Sequence, residues 1–334
     1  MIFPDARQRV PTPSFPPETI DVLKRRAYKP ASVELTVRPD LNFTFLRPPG
    51  WEVGPPVMSP SLELPIPALA SFTRKNPSAG VELLVFESRY DCLPGDFLDS
   101  TFDAVSLSHR SEGPVGDGWY ADRMGAREHG YELMAAHRKG KDLFVFLCAM
   151  PTSAVASCRD EVNAVIGTFV LKAPRPHPFA ERWRVHRDDS VGLSFALPDG
   201  ARPARALAGA DVTWSIDGGE VELSVRPLST RETATEEVEQ VFKAELQEKG
   251  IVLGEGRVGD LPAAPGGVFA GEVAIRLFDS TPSSTRSVEA LVIAGARKEG
   301  GSLRIAGVWP SRAAHTDAWM RGRFALVQLV ATMK

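Results

Sequence analysis

The sequence predicts an α+β fold in two tandem lobes, each an antiparallel sheet covered by helices, and three observations predict it. The 334 residues suit two domains of roughly 100 to 200 residues each. With 43% hydrophobic and 24% charged residues the chain matches ordinary folded domains, which argues against long disorder, collagen-like repeats or a coiled coil. The third observation is internal. Residues 41–173 and 185–334 pass through similar strand and helix signals in the same order, and a duplicated unit constrains a fold more than local propensity does.

The first 40 residues carry Pro4, Pro11, Pro13, Pro16, Pro17, Pro30 and Pro39, a density that denies them long helices or central strands. They read as an extended arm, residues 1–40. Only Glu18 to Tyr28 suits a short helix, with Ile20, Leu23 and Ala27 near one face. Lys24, Arg25 and Arg26 make it locally basic, as a solvated face or a contact for an acidic partner. Pro174, Pro176 and Pro178 then mark a stiff linker over residues 174–184.

Each lobe opens with an alternating strand that ends in Pro and Gly, Asn42 to Trp51 in the first and Gly192 to Gly200 in the second, with Phe45 matching Phe195. A Val-Glu-Leu strand follows, at Val81 and at Val221. Next comes helical periodicity, with Phe97, Leu98, Phe102 and Val105 on one face and Val238, Val241, Phe242 and Leu246 on the other lobe's equivalent. Long hairpins follow, Tyr131 to Met150 and Val288 to Trp309, turning at Gly140 and at Gly300-Gly301. Both stop at a proline, Pro151 and Pro310, and enter a last helix, Thr152 to Phe169 and Ser311 to Val330, the first capped by Thr152 or Ser153. The predicted order is three strands, a helix, three strands and a helix, twice over.

These residues carry a resemblance. The opening Phe-x-x-Pro-x-Gly-Trp strand, the middle helix, the long hairpin ending in Pro and the closing helix that runs into Thr168-Phe169-Val170-Leu171 resemble the PsbP/Mog-type α/β/α sandwich, including DcrB-related bacterial proteins. The second lobe departs from it with Asp199-Gly200-Ala201 in place of Pro-Gly-Trp. The resemblance implies binding without catalysis. Members include photosystem subunits, Ran-binding import factors, mycobacterial lipoproteins and the Eag chaperones, which work as paired lobes and hold apolar helices of type VI secretion effectors. It therefore implies an adaptor or chaperone whose partner is a secreted effector with hydrophobic helices. Alternatives are a structural subunit held through the basic arm and a metal-dependent enzyme.

Composition narrows the function classes further. Lys+Arg 39 against Asp+Glu 42 offers no basic footprint for nucleic acid. No signal peptide and no membrane-spanning helix are expected, and Cys92, Cys148 and Cys158 read as free thiols, which suits a cytoplasmic location.

Gly254 to Gly259 fits G-x-G-x-x-G, but Pro262 and Pro265 follow where a nucleotide site needs a helix, so it reads as a glycine-rich β loop. His186-Arg187-Asp188 copies a kinase tripeptide without its companions. His129 and His137 lie on one face of a strand but roughly 26 Å apart at 3.3 Å per residue, and Glu128, His129, His137 and Cys148 lack a metal-ligand spacing. No cofactor, metal or catalytic residue is expected. The remaining candidates are apolar. Leu143 to Cys148 is apolar on both faces and needs two covers, supplied by the chain or by a partner. Phe144, Phe146, Leu84 and Phe86, with Trp119 and Tyr120 as aromatic anchors, are the expected partner-binding residues.

Overall fold

The computed structural model describes residues 18–35, 38–54, 69–102, 104–115, 118–127, 130–173, 179–204, 212–228, 235–259, 261 and 267–334. Residues 1–17 and 174–178, which hold most of the prolines assigned to arm and linker, lie outside the described set. The chain divides into two compact units, Met1–Arg89 with Pro94–Ala180, and Tyr90–Leu93 with Glu181–Lys334. Each is an α+β lobe. No described helix is long and apolar enough to cross a membrane.

The first unit runs α1 (Ile20–Arg25), β1 (Lys29–Val33), β2 (Phe43–Arg47), β3 (Trp51–Gly54), β4 (Ala70–Lys75), β5 (Ser78–Glu87), α2 (Pro94–Thr101), β6 (His109–Val115), β7 (Gly118–Arg127), β8 (Gly130–Lys139), β9 (Asp142–Met150), α3 (Val155–Gly167) and β10 (Val170–Leu171). Two expectations change here. The described part of the arm is structured: Leu23 is buried against Leu46 and Ala164, and β1 pairs antiparallel with β2 along its whole length. Ile20 is exposed and Ala27 turns to a φ of 64°, so the short helix rests on one residue and not three. The middle helix is preceded by five strands and followed by four, where three were expected on each side; β1 lies in the proline-rich arm, and Asp122 and Arg123 inside β7 interrupt the alternation that would mark it as a strand.

Seven strands form the main sheet of this unit in the order β3-β4-β5-β9-β8-β7-β6, with β1-β2-β10 as a small separate sheet. α3 and β2 cover one face of the main sheet, where Phe43, Phe144, Phe146 and Phe169 join one core. α2 covers the opposite face through Leu98, against Leu84 and Val145. The α3 cap is a turn, Thr152–Ala154, with no side-chain cap bond, unlike the expected Thr152 or Ser153 cap.

The second unit runs β11 (Trp183–Asp188), β12 (Leu193–Pro198), β13 (Arg202–Ala204), β14 (Val212–Ile216), β15 (Val221–Leu228), α4 (Thr235–Glu248), β16 (Arg257–Val258), β17 (Ala274–Asp279), β18 (Val288–Ala296), β19 (Ser302–Pro310) and α5 (Thr316–Thr332). Its sheet order, β13-β14-β15-β19-β18-β17-β16, is that of the first unit strand for strand. α4 buries Val238, Phe242 and Leu246 on one face, leaving Val241 exposed. His315 caps α5, its Nδ1 accepting from Ala318 N at 3.1 Å.

The duplication reaches single atoms. Thr168 Oγ1 accepts from Leu46 N at 2.9 Å and donates to Ala164 O at 2.7 Å. Thr332 Oγ1 accepts from Ala196 N at 2.9 Å and donates to Gln328 O at 2.7 Å. Two residues beyond each threonine the chain pairs with the opening strand, Val170 with Thr44 and Lys334 with Ser194 through reciprocal backbone bonds of 2.9 and 3.1 Å.

Candidate functional site

Strand β9 is covered within its own unit. Phe144 and Phe146 face α3 and lie 0% and 1% exposed, with Phe169 at centroid distances of 4.8 and 6.1 Å. Leu84 and Val145 face α2, and half-buried Phe86 stacks edge-on to Phe97 and Phe102 at 5.0 and 5.7 Å. Trp119 and Tyr120 are buried as well. The expected partner-binding set therefore presents no open groove. The chain supplies both covers because α2 and α3 each bring an apolar face to the sheet. The gap under α3, between Trp51, Phe72, Phe146 and Val165, is a cavity of about 10 Å³, room for no more than one water-sized body.

What the sequence reading did not single out is a polar cluster on that same face. Tyr120 Oη donates to Asp122 Oδ2 at 3.2 Å. The Ser111 backbone N–H also serves the Asp122 carboxylate, and Arg159 and Arg123 act on it electrostatically. Burial pushes the Asp122 carboxyl up to about 6, against the pull of Arg159 and Arg123. Burial also holds the Tyr120 phenol well above its ordinary value, with Asp122 adding to the effect. Ser111 Oγ is buried with no hydrogen-bond partner, and His137 stands opposite Tyr120 in the register.

The second unit provides a control for this cluster. Reading across the sheet, Val85, Phe144, His137 and Tyr120 form one row, and its counterpart is Val225, Ile305, Ile293 and Ile275. The next row is Leu83, Phe146, Ala135, Asp122 and Ser111, matched by Leu223, Gly307, Leu291, Leu277 and Arg257. Where the first unit places His137, Tyr120 and Asp122, the second places isoleucine and leucine. The fold does not demand polar groups there. Burial also differs between the two: Tyr120 and Asp122 are 1% and 3% exposed, whereas Ile275 and Leu277 are only half-buried.

A second polar feature is shared by both units. α2 sends Asp99 to Arg123 at 3.0 Å and to Arg110, while Glu112 accepts from Gly95 N at the helix start at 2.9 Å. α4 sends Glu245 to Arg226 at 2.6 Å and to Arg304 at 2.8 Å. In each case one buried carboxylate seats the middle helix between two guanidinium groups. Indole donors do similar work at the closing helices. Trp51 and Arg74 converge on Glu161, and Trp309, Trp319 and Arg323 all donate to Glu289 Oε1 at 3.0 to 3.2 Å. Buried charge held in paired networks of this kind reads as architecture more than chemistry.

Glu128 and His129 lie outside the described residues, and among the described residues no group of three His, Cys, Asp or Glu side chains converges on a metal position. Cys148 and Cys158 are free and buried, and burial pushes both thiols up, the reverse of a reactive thiolate. Gly254 to Gly259 contains β16, and a Cβ at Gly256 would meet Phe278 at 2.5 Å, so close packing accounts for that glycine. His186, Arg187 and Asp188 are ordinary positions of β11.

No family model matches the chain, and no curated protein matches it. Among solved structures, the solution structure of cyanobacterial PsbP (CyanoP) from Synechocystis matches at a TM-score of 0.32 and 13% identity, over 43% of this chain and 93% of that one. The duplication rests on the chain itself, which holds two α+β lobes with one strand order, with His137, Tyr120 and Asp122 of the first replaced by Ile293, Ile275 and Leu277 in the second.

Proposed function

We propose that the protein is a non-catalytic adaptor or chaperone that holds an apolar segment of another protein, seated at the β16–β17 margin of the second unit. The observation that carries this reading is the difference between repeats. Positions sealed in the first unit as Tyr120 and Asp122 are only half-buried in the second as Ile275 and Leu277, two apolar side chains on one face of β17. An apolar margin left open on a scaffold able to close it favours a partner. The finer version, in which the client is a secreted effector with hydrophobic helices and the chaperone acts in the cytoplasm, draws only on the resemblance to PsbP/Mog-like paired-lobe chaperones.

The experiment is affinity capture from the native host with full-length protein, compared with Ile275→Asp and Leu277→Asp variants whose folding is checked by circular dichroism. A partner identified by mass spectrometry, retained by the wild type and reduced about tenfold or more by both folded variants, supports the reading. Equal recovery with all three proteins would overturn it.

A further inference from the structure

We propose that β11 is the interface through which two copies of this chain pair, strand β11 against strand β11 of the partner subunit, antiparallel and about a two-fold axis at His186. β11 belongs to a two-stranded sheet with β12, and among the described residues nothing pairs with its other side. The register fixes which groups that side offers. Asp199 N donates to Arg182 O at 2.8 Å, so alternate residues Arg184, His186 and Asp188 bond to β12, while Val185 and Arg187 turn their N–H and C=O groups outward. Their side chains are in solvent, with Val185 78% exposed and the Arg187 side chain 83% exposed.

The first unit shows how this fold protects the same edge. Its counterpart, β1, pairs with β2 as β11 does with β12. Matching Phe45 to Phe195 sets Lys29 against Arg184 and Pro30 against Val185. In β2 the even positions serve β10, through Lys172 N to Asn42 O at 2.8 Å, so the odd positions serve β1 and Pro30 faces outward. Proline without an N–H, next to lysine, is a device that blunts an open edge. At the equivalent place β11 carries an N–H and an exposed valine.

Charge selects both occupant and register. With Val185 opposite Arg187 of the partner subunit, the intervening close pairs are Arg184 with Asp188 of the partner subunit, formed twice by symmetry, and His186 with its own symmetry mate. A shift of two residues one way sets Arg184 against the partner's His186 and moves the Asp188 pairing out to the partner's Arg182 at the strand's end; the other way keeps an acidic partner only for His186 and sets Arg187 against the partner's Arg187. Directly opposed opposite charges favour a strand pair and like charges oppose it. Arg184 now reaches Asp199 and Arg187 reaches Asp189, while Asp188 takes Ser190 N and Oγ through Oδ1. These are exposed contacts that rearrange at little cost.

Sedimentation velocity on the full-length chain, from low to high micromolar concentration, tests the proposal. A monomer–dimer equilibrium is expected. Val185→Pro, which copies the first unit's Pro30, is expected to leave a folded monomer. Arg184→Glu and Asp188→Arg are each expected to raise the dissociation constant about tenfold, and the double variant to recover most of the loss. If Val185→Pro unfolds the lobe, the charge exchange decides alone. A monomer at every concentration, with or without an extended peptide bound to the edge, would overturn the proposal. So would a dimer indifferent to the single charge variants.

Discussion

At the residue scale, Asp122 has the most to reveal. Its folded-state carboxyl is raised to about 6 from an ordinary 3.8, so between those values the folded protein holds a proton that the unfolded chain has released. Stability from this group therefore falls as pH rises from about 4 through 6, and above 6 the buried carboxylate carries a cost of at most about 3 kcal/mol. Asp122→Asn removes the ionisation. Its stability relative to wild type, measured by urea unfolding at pH 5 and pH 8, is expected to be higher at pH 8. Equal differences at the two pH values would show that the environment of Asp122 is not as described. Phe144 and Phe146 give the opposite lesson. Their strand was legible as one that needs two covers, but whether helix or partner supplied them was not: α3 follows β9 almost at once and α2 lies about forty residues earlier, and neither pattern states which face of the sheet its helix returns to. Phe144→Ala and Phe146→Ala are each expected to cost about 3 to 5 kcal/mol in thermal or urea unfolding, as core truncations and not as binding variants.

At the element scale, two attachments repeat and each makes a paired expectation. Replacing Thr168 or Thr332 by valine keeps the shape but leaves a strand N–H, of Leu46 or of Ala196, without its acceptor. A loss of about 1 to 3 kcal/mol in the affected lobe is expected, and similar values for both would confirm that the closing helices are fastened alike. The middle helices depend on charge. Asp99→Ala takes from buried Arg123 its nearest carboxylate, leaving Glu112 at 3.6 Å, and Glu245→Ala takes from buried Arg304 its carboxylate at 2.8 Å; a loss of about 1 to 5 kcal/mol is expected in unfolding measurements. Helices were easier to anticipate than strands. Leu98 and Phe242 announce them through 3.6-residue periodicity, whereas β1 contains Pro30, β11 is half charged and β7 holds Asp122 and Arg123. A strand's partner is chosen by register with a distant strand, which local alternation does not encode.

At the scale of the whole molecule, the sequence halves and the folded units differ. Tyr90–Leu93 belongs to the second unit, where Asp91 accepts from Trp183 Nε1 at 2.9 Å and from Glu181 N at 3.2 Å. Nothing in the composition near Asp91 marks it as part of the later lobe. Asp91→Ala is therefore expected to weaken residues 181–334 by about 1 to 3 kcal/mol and to leave β5 and β9 unchanged, as read by hydrogen exchange. Protection lost first around β5 would contradict the division. The shared strand order bears finally on how the protein is made. In both lobes the last long strand synthesised, β9 or β19, enters the middle of the sheet, between β5 and β8 or between β15 and β18. Until residue 150 has left the ribosome, Val81, Leu83 and Leu84 stand on an open apolar edge, and the same holds for Val221 and Leu223 until residue 310. Each nascent lobe passes through a long window in which its own centre is missing and its stickiest strand is uncovered, the kind of non-local pairing that favours slow folding and transient exposure to aggregation.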